Sequence, residues 1–459
     1  MKKTIADLFL QGVKTIWARL SALRSGKNQW IELGYRVMDG EVTRHHARIP
    51  NARRATHIAV LGKSGSGKSS LLRYLSQQDI EADRGFVYFD LHGDAMPFLL
   101  REINARERRL RRHLSTKLII IDPCDEIVCV GLNPLQQPVP DFVRIAEFAQ
   151  ILRERWQLDH FGARTDELLR NALYVLSANR LTLLELAPLL AHTGFRTSCL
   201  KRVPNPDVRQ YFEGRYNQAS EAMQSIMREP ILNKTSVFTA DPHFRHIVGQ
   251  QQSSFTFQEA MDQGYWVIVN LDKGRLGEQA RTLGTIMLAM LKNALFTRRE
   301  RTLYTLYCDE IQNLIAYGTS LETVLSEARK FGVAIVSANQ FLDQYTPEMR
   351  ASILAVGTHA FFQLSAIDAG QVAQALDGGR SLAECLKNLP PRHCIVKSGN
   401  NRHIEIRVPT VYERKVDYSD LLNRSRYTRG RVRAHIERDI AARQAVVVRS
   451  TDDVLNDWE

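Results

Sequence analysis

An eight-residue stretch near the start of the chain has the residue types and spacing of a phosphate-binding loop. Residues 62–69 read GKSGSGKS and match the pattern G-x-x-x-x-G-K-[ST]. Glycines there let the backbone wrap closely round phosphates, so that its N–H groups point at them beside a helix N-terminus. In such loops the lysine, here Lys68, binds the β and γ phosphates, and the hydroxyl of Ser69 is a ligand of Mg²⁺. The pattern predicts a nucleotide-binding loop made of Gly62, Lys63, Ser64, Gly65, Ser66, Gly67, Lys68, Ser69 and Ser70.

Two adjacent carboxylates end an apolar run much later in the chain. The stretch LYTLYCDE, residues 303–310, closes with Asp309 and Glu310. Beside a phosphate loop, Asp309 is predicted to hold a magnesium-bound water and Glu310 to activate the attacking water. The alternative is that both acids simply favour a helix N-terminus after the strand.

A lone amide ends the next apolar run. The stretch VAIVSANQ, residues 333–340, is predicted to form a strand beside the one that carries Asp309. Its carboxyl end would then place Gln340 near the γ phosphate, where an amide can orient water. Asn339 is the alternative if the register shifts by one residue, and Gln340 could also be a turn residue that caps the next helix.

Strands and helices alternate around these residues, which indicates a mostly parallel sheet covered on both faces. The predicted fold is α/β: a RecA-like sheet interrupted by an all-helical insertion, where long stretches repeat apolar residues at helical spacing. The predicted domains are an amphipathic helix with a basic lead-in (1–55), the first part of the RecA-like domain (56–138), the all-α insertion (139–235), the second part (236–412) and a basic tail (413–459).

The composition is that of a soluble globular protein with a phosphate-bearing partner. Hydrophobic residues make up 44% and charged residues 24%, and the net charge is +12. Such an excess of positive charge favours nucleic acid over an acidic protein.

The six cysteines form no CxxC pair, so they are expected to be thiols in a reducing cytosol. No run of about 18 apolar residues predicts a membrane span, although the N-terminal helix could lie on a membrane surface or dock on protein.

Two basic runs are candidate DNA contacts. RERRLRRH occupies residues 106–113, and the tail contains seven further arginines: Arg424, Arg426, Arg429, Arg431, Arg433, Arg438 and Arg443. Such cations could follow a phosphate backbone without reading bases. The alternative for both runs is a solvated protein surface.

Taken together, these motifs resemble the HerA/FtsK superfamily of ring-forming nucleic-acid motors, and within it the TraG/TraD-like coupling proteins of conjugative type IV secretion. The resemblance covers about 57–136 and 262–408. It includes SEARKFG (326–332), the strand end ANQ, and FDLHGDA (89–95), which is similar to a D-x-H-G-[DE] element; in that element His92 could contact nucleotide or satisfy a turn. Coupling proteins usually begin with transmembrane helices and HerA with a β-barrel, and the sequence predicts neither.

The resemblance implies a P-loop ATPase of the ASCE class that uses ATP and Mg²⁺. It also implies a homo-oligomer, a hexameric ring, with DNA as its main partner and with relaxase and secretion-channel proteins as further partners. In that superfamily an arginine near the end of the helix before Gln340 reaches the neighbouring subunit's ATP, and Arg329 occupies the matching position. The alternative is that Arg329 and Lys330 complement a helix C-terminus.

Three functions follow as expectations. The first is a coupling-protein-like ATPase that pumps DNA in conjugative transfer, in the cytoplasm or peripheral at the inner membrane. The second is a HerA-like translocase in DNA processing or anti-phage defence. The third is an assembly ATPase that acts on the proteins of a secretion machine.

Overall fold

The computed structural model describes residues 29–155, 162–315 and 321–456. The strands are β1 (Trp30–Met38), β2 (Glu41–Pro50), β3 (Ile58–Leu61), β4 (Phe86–Asp90), β5 (Leu118–Ile121), β6 (Val128–Cys129), β7 (Trp266–Asn270), β8 (Tyr304–Asp309), β9 (Val333–Asn339), β10 (Thr358–Phe361), β11 (His393–Ser398), β12 (Ile404–Arg407) and β13 (Arg431–Val432).

The α-helices are α1 (Asn51–Arg54), α2 (Lys68–Glu81), α3 (Ala95–Leu110), α4 (Asp141–Arg155), α5 (Gly162–Ala178), α6 (Leu186–Ala191), α7 (Thr193–Leu200), α8 (Pro206–Gln210), α9 (Glu221–Ala240), α10 (Pro242–Val248), α11 (Phe257–Asp262), α12 (Lys273–Leu276), α13 (Glu278–Phe296), α14 (Leu321–Lys330), α15 (Pro347–Leu354), α16 (Ala366–Ala375), α17 (Gly379–Asn388), α18 (Ser419–Arg429) and α19 (Arg433–Asn456).

Eleven strands form one sheet in the order β2-β1-β12-β11-β10-β3-β9-β8-β4-β7-β5. The strands from β10 to β5 in this order are parallel to their neighbours. The predicted α/β class with a mostly parallel RecA-like sheet is therefore confirmed. The predicted neighbours β8 and β9 pair directly, with Asp309 opposite Ala338.

An antiparallel extension, which the sequence did not predict, continues the sheet beyond β10. Four successive antiparallel pairs make up this extension: β10 with β11, β11 with β12, β12 with β1, and β1 with β2. The basic stretch 44–55 belongs to this extension, since it forms the second half of the β1–β2 hairpin and α1. The predicted N-terminal amphipathic helix lies outside the described residues.

The two faces of the sheet belong to different apolar clusters. Alternate residues of β4 illustrate this division: Val87 and Phe89 join one cluster, and Phe86 and Tyr88 join the other. Successive side chains of a strand point to opposite faces, so a strand covered on both sides is apolar throughout. This is why the parallel strands read as unbroken apolar runs.

The stretch predicted as an all-helical insertion forms helices α4 to α9 wherever it is described, and helical structure continues to Val248. Their apolar residues, such as Phe148, Leu169 and Phe212, share one cluster with Val87 and Ile119 of the sheet. The inserted helices pack mainly on one another, and α4 packs against α13, so their apolar side chains are continuous with the cluster on one face of the sheet. None of the helices in the described ranges is long and apolar enough to cross a bilayer.

Candidate nucleotide-binding site

The predicted phosphate loop joins β3 to α2 at the carboxyl edge of the parallel strands. Gly67 has a φ of +118°, and a Cβ there would lie 2.9 Å from the Cα of Arg392. Only glycine combines that backbone conformation with so close a neighbour. The loop is held in place by its own and neighbouring backbone, because Ser66 N–H donates to Lys63 O (3.3 Å) and Lys63 N–H donates to Gln363 O (2.8 Å).

The side chain of Lys68 lies buried inside this loop. Its Nζ donates to the carbonyl oxygens of Gly62 (2.7 Å) and Lys63 (3.0 Å). Burial lowers the pKa of Lys68, and the charges of Asp309 and Glu310 oppose the shift only in part. The ammonium therefore bonds to two carbonyl oxygens that phosphate oxygens, as stronger acceptors, could replace.

Asp309 ends β8 beside the start of α2. The Ser69 hydroxyl donates to Asp309 Oδ2 over 3.4 Å. Burial raises the pKa of Asp309, and Lys68 and His92 oppose this. The negative charge of this buried carboxylate is only partly offset by its neighbours. Together with the Ser69 hydroxyl it supplies hard oxygen ligands suited to Mg²⁺, so the residues present fit the predicted cation.

Glu310 adopts a left-handed backbone conformation with a φ of +58°. Its Oε2 accepts from Lys273 Nζ (2.8 Å) and Asn313 Nδ2 (2.9 Å). Burial raises the pKa of Glu310, but the hydrogen bond and charge of Lys273, together with smaller contributions such as the hydrogen bond from Asn313, bring the pKa below its ordinary value. Glu310 is thus held ionised beside the phosphate loop.

Gln340 points toward this carboxylate, and Asn339 does not. Gln340 Nε2 donates to Glu310 Oε1 over 3.4 Å. Asn339 is buried, and its amide is used by Gln312 and Tyr345. The cap of the following turn is Gln344, whose Oε1 accepts from the backbone N–H of Gln340 (3.0 Å).

Arg329 lies near the amino ends of the parallel strands, opposite the ends that carry the phosphate loop. It is exposed near the end of α14, just before β9 begins, whereas Gln340 follows the end of β9. Within the described ranges no carboxylate forms an ion pair with Arg329, while Lys330 pairs with Glu327 (2.8 Å). The structure therefore separates Arg329 from the phosphate loop of its own chain.

Residues 89–95, the FDLHGDA element, form a turn that starts α3. The carboxylate of Asp90 accepts from the backbone N–H groups of Gly93 and Ala95, at 2.9 Å each. His92 is exposed at this turn, close to Asp309 and Glu310. Asp90 thus builds the turn, and His92 lies near the two carboxylates.

Sequence reasoning missed two residues of this site, Lys273 and Arg392. Lys273 starts α12 after β7, two strands away from β8, so no local pattern ties it to Glu310. Arg392 has a φ of +67°, and its backbone N–H donates to Ser66 O (2.7 Å). It reaches the phosphate loop only because the antiparallel extension folds beside β10.

Comparisons with known proteins agree with this geometry. Residues 51–274 match the family model described as "Helicase HerA, central domain". Plasmid coupling protein TrwB, solved in complex with ADP and Mg²⁺, has a similar fold: the TM-score is 0.60 at 16% identity, over 84% of this chain and 96% of that one. The chain has the fold of HerA/FtsK-type P-loop ATPases. The resemblance inferred from the motifs is confirmed.

A second solved structure points the same way. VirB4 of Thermoanaerobacter pseudethanolicus has a TM-score of 0.54 at 15% identity, over 83% of this chain and 96% of that one. TrwB has also been solved with the non-hydrolysable ATP analogue ADPNP, with a TM-score of 0.60. No curated protein sequence matches the chain.

Most tail arginines of this chain form ion pairs with its own carboxylates. Arg426 pairs with Asp125 (2.6 Å), Arg429 with Glu259 (2.6 Å) and Arg443 with Glu185 (3.0 Å). Further pairs join Arg424 to Glu107 and Arg431 to Asp439. In the 106–113 run, Arg106 pairs with Asp83 and Arg109 with Glu81. The charge of the tail is therefore largely neutralised within the chain. In the 106–113 run, by contrast, Arg108, Arg111 and Arg112 form no ion pair within the described ranges.

Proposed function

We propose that this chain is an ATP-hydrolysing, magnesium-dependent ring motor that moves DNA, and specifically a coupling-protein-like ATPase of conjugative transfer. In this proposal DNA, a relaxase and secretion-channel proteins are its partners. The chain would work in the cytoplasm or at the inner face of the membrane. The fold shared with TrwB and VirB4 supports this assignment.

Each residue at the carboxyl edge of the sheet has a role in the proposed reaction. Lys68 and the loop N–H groups bind the phosphates, and Gln340 orients a water toward the γ phosphate. Glu310 accepts a proton from that water, since it is ionised at neutral pH. Ser69 and Asp309 would hold the cation, which neutralises charge on the phosphates.

The observation that carries the proposal is the position of Arg329. Seven residues of β9 separate it from the nucleotide edge, a span of about 20 Å at roughly 3.3 Å per residue. Arg329 therefore cannot contact a nucleotide bound to its own phosphate loop. An exposed arginine at the amino ends of the parallel strands, with no carboxylate partner in the described part of the chain, is suited to complete the site of a neighbouring copy in a head-to-tail ring.

The test is a mixing experiment with two inactive variants. Arg329→Ala should fold normally and lose about 10³- to 10⁵-fold in hydrolysis, equivalent to about 4–7 kcal/mol of barrier. Lys68→Ala should also be inactive. Mixed subunits should regain part of the activity, because an intact loop then meets an intact Arg329 from its neighbour.

The control is Lys330→Ala, which removes an adjacent exposed charge and should leave hydrolysis within about twofold of wild type, since surface pairs of this kind contribute little. Normal assembly of both variants without any rescue in the mixture would show that Arg329 does not act between subunits.

DNA dependence separates the conjugative motor from its alternatives. A DNA motor should hydrolyse ATP faster when DNA is added, and the stimulation should fall steeply with salt. Neighbouring genes then distinguish the two DNA motors. A relaxase gene beside this one favours conjugative transfer, and a nuclease gene favours DNA processing or defence. An ATPase that responds only to a secretion protein would instead be an assembly factor.

A further inference from the structure

A groove with a basic rim lies at the antiparallel end of the sheet. The start of β1, the end of β2, α1 and the β11–β12 turn enclose about 350 Å³, near the lower end of the range for small-molecule pockets, about 300–1,000 Å³. We call it the hairpin groove. Its lining includes four exposed arginines: Arg36, Arg48, Arg53 and Arg402.

Three of these four arginines have no acidic partner among the residues that the structure describes. Arg48 pairs with Glu32 (2.7 Å). No carboxylate of the described residues lies within ion-pair distance of Arg36, Arg53 or Arg402. This differs from the tail, whose arginines are mostly neutralised by carboxylates of the same chain. The hairpin groove therefore keeps positive charge available for a partner.

The floor of the hairpin groove is apolar and one wall is aromatic. Leu33, Ala47, Ile49, Val396 and Ile404 line it. The indole of Trp30 is 46% exposed at the start of β1. Such an arrangement offers a flat aromatic face with cations around it, which suits a ligand with a planar ring and attached phosphates.

The backbone of the β11–β12 turn lies close to Arg53, one of the arginines at the rim of the hairpin groove. Gly399 has a φ of +55°, and a Cβ there would lie 3.7 Å from Nη1 of Arg53. The guanidinium of Arg53 thus rests against a turn that also brings Ser398, Asn401 and Arg402 to the groove. Side chains from separate parts of the chain converge on one slot, as in a binding site.

We propose that the hairpin groove binds single-stranded nucleic acid, with a base stacked on Trp30 and phosphates neutralised by Arg36, Arg53 and Arg402. Cationic grooves with an aromatic platform bind single strands in this way. A paired duplex keeps its bases stacked inside, and a bilayer surface is too flat to enter a slot with an apolar floor. The inference rests on the proposed function for its choice of DNA.

The hairpin groove is remote from the nucleotide site. Ser398, which lines the groove, pairs with Thr358 at the start of β10, whereas the phosphate loop follows the far end of the parallel neighbour β3. Strand binding and nucleotide binding can therefore be measured separately on the same protein.

The test is fluorescence anisotropy of a labelled 20-residue oligothymidine with the full chain, over a series of salt concentrations. The triple variant Arg36→Ala/Arg53→Ala/Arg402→Ala should bind at least tenfold more weakly. Its slope of log affinity against log salt should fall by about 2, at about 0.7 per lost phosphate contact. Basal hydrolysis and the melting temperature should match wild type.

A matched control removes the same charge elsewhere. Arg202, Arg299 and Arg380 are exposed, lie outside both basic runs and form no ion pair within the described ranges. Their combined replacement by alanine should change affinity less than threefold. Trp30→Ala should weaken binding about 5- to 150-fold, the equivalent of about 1–3 kcal/mol per stacked base, and Trp30→Phe should restore most of it.

Two results would overturn the inference. One is wild-type affinity in the folded triple variant, or an equal loss in the control. The other is loss of binding to vesicles of anionic lipid in the triple variant while oligothymidine binding is unchanged. If wild-type protein binds oligothymidine through the groove but never hydrolyses ATP, the proposed function fails and this inference stands.

Discussion

At the scale of single residues, the site is organised by the charge around Glu310. The carboxylate is flanked by Lys273, Asn313 and Gln340, which all donate to it. Asp309 next to it has the opposite tendency, since burial raises its pKa. Two adjacent carboxylates with pKa values shifted in opposite directions can take different roles, one in proton transfer and one in cation binding.

The first prediction concerns Lys273. Because the hydrogen bond and charge of Lys273 lower the pKa of Glu310 against the effect of burial, Lys273→Met should raise that pKa. The acidic limb of the pH profile of DNA-stimulated kcat should then move to higher pH. Lys273→Arg keeps the charge and should leave the limb nearly in place. An unmoved limb in Lys273→Met would mean that Glu310 is not the group that limits activity at low pH.

At the scale of elements, His57 joins three segments behind the phosphate loop. Its Nδ1 accepts from the backbone N–H of Ile335 (3.1 Å) in β9, so the proton sits on Nε2, which donates to Leu325 O (2.6 Å) in α14. Burial lowers the pKa of His57 to about 4. The neutral ring therefore helps to hold α14, and with it Arg329, against the sheet.

The second prediction is a pH dependence of stability. His57 protonates near pH 6.5 when unfolded and near pH 4 when folded. Its contribution is thus complete above about pH 6.5 and is lost as the pH falls toward 4. By pH 5 the loss should be about 2 kcal/mol. Urea unfolding at pH 7.5 and 5 measures it, and His57→Asn should remove that part of the difference. An equal pH dependence in wild type and variant would contradict the assignment.

At the scale of the whole molecule, the C-terminal segment connects the sheet to the inserted helices. In α18 the Ser425 hydroxyl donates to Leu118 O of β5 (2.8 Å). The short strand β13 pairs with β6, and α19 buries Ile436 and Ile440 in the cluster that holds the inserted helices. The segment predicted as a solvated basic tail or a DNA contact is therefore, from Ser419 to Arg443, a packed part of the fold.

The third prediction follows from that packing. Ile440→Ala should lower the free energy of unfolding by about 2–5 kcal/mol, because it leaves a cavity in a closed apolar cluster. Arg438→Ala, two residues away and exposed, should change it by less than about 0.5 kcal/mol. Both variants should bind oligothymidine like wild type while folded. Weakened DNA binding in Arg426→Ala/Arg429→Ala without any loss of stability would instead support the tail as a DNA contact.

The sequence by itself determined the phosphate loop, the strand ends that carry Asp309 and Gln340, and the α/β class. These features depend on local chemistry: glycines that permit unusual backbone angles, and apolar runs that can only be buried strands. They can therefore be predicted from local sequence, without knowing which distant segments pack against them.

Only the tertiary structure decided which residues meet across the sheet. Lys273 and Arg392 reach the site through strand order, and the choice of Gln340 over Asn339 depends on a register that the sequence left open by one residue. The antiparallel extension and the hairpin groove likewise exist only once β1, β2, β11 and β12 have paired. Pairing between segments hundreds of residues apart is set by the packing of the whole sheet, and no single stretch of sequence contains it.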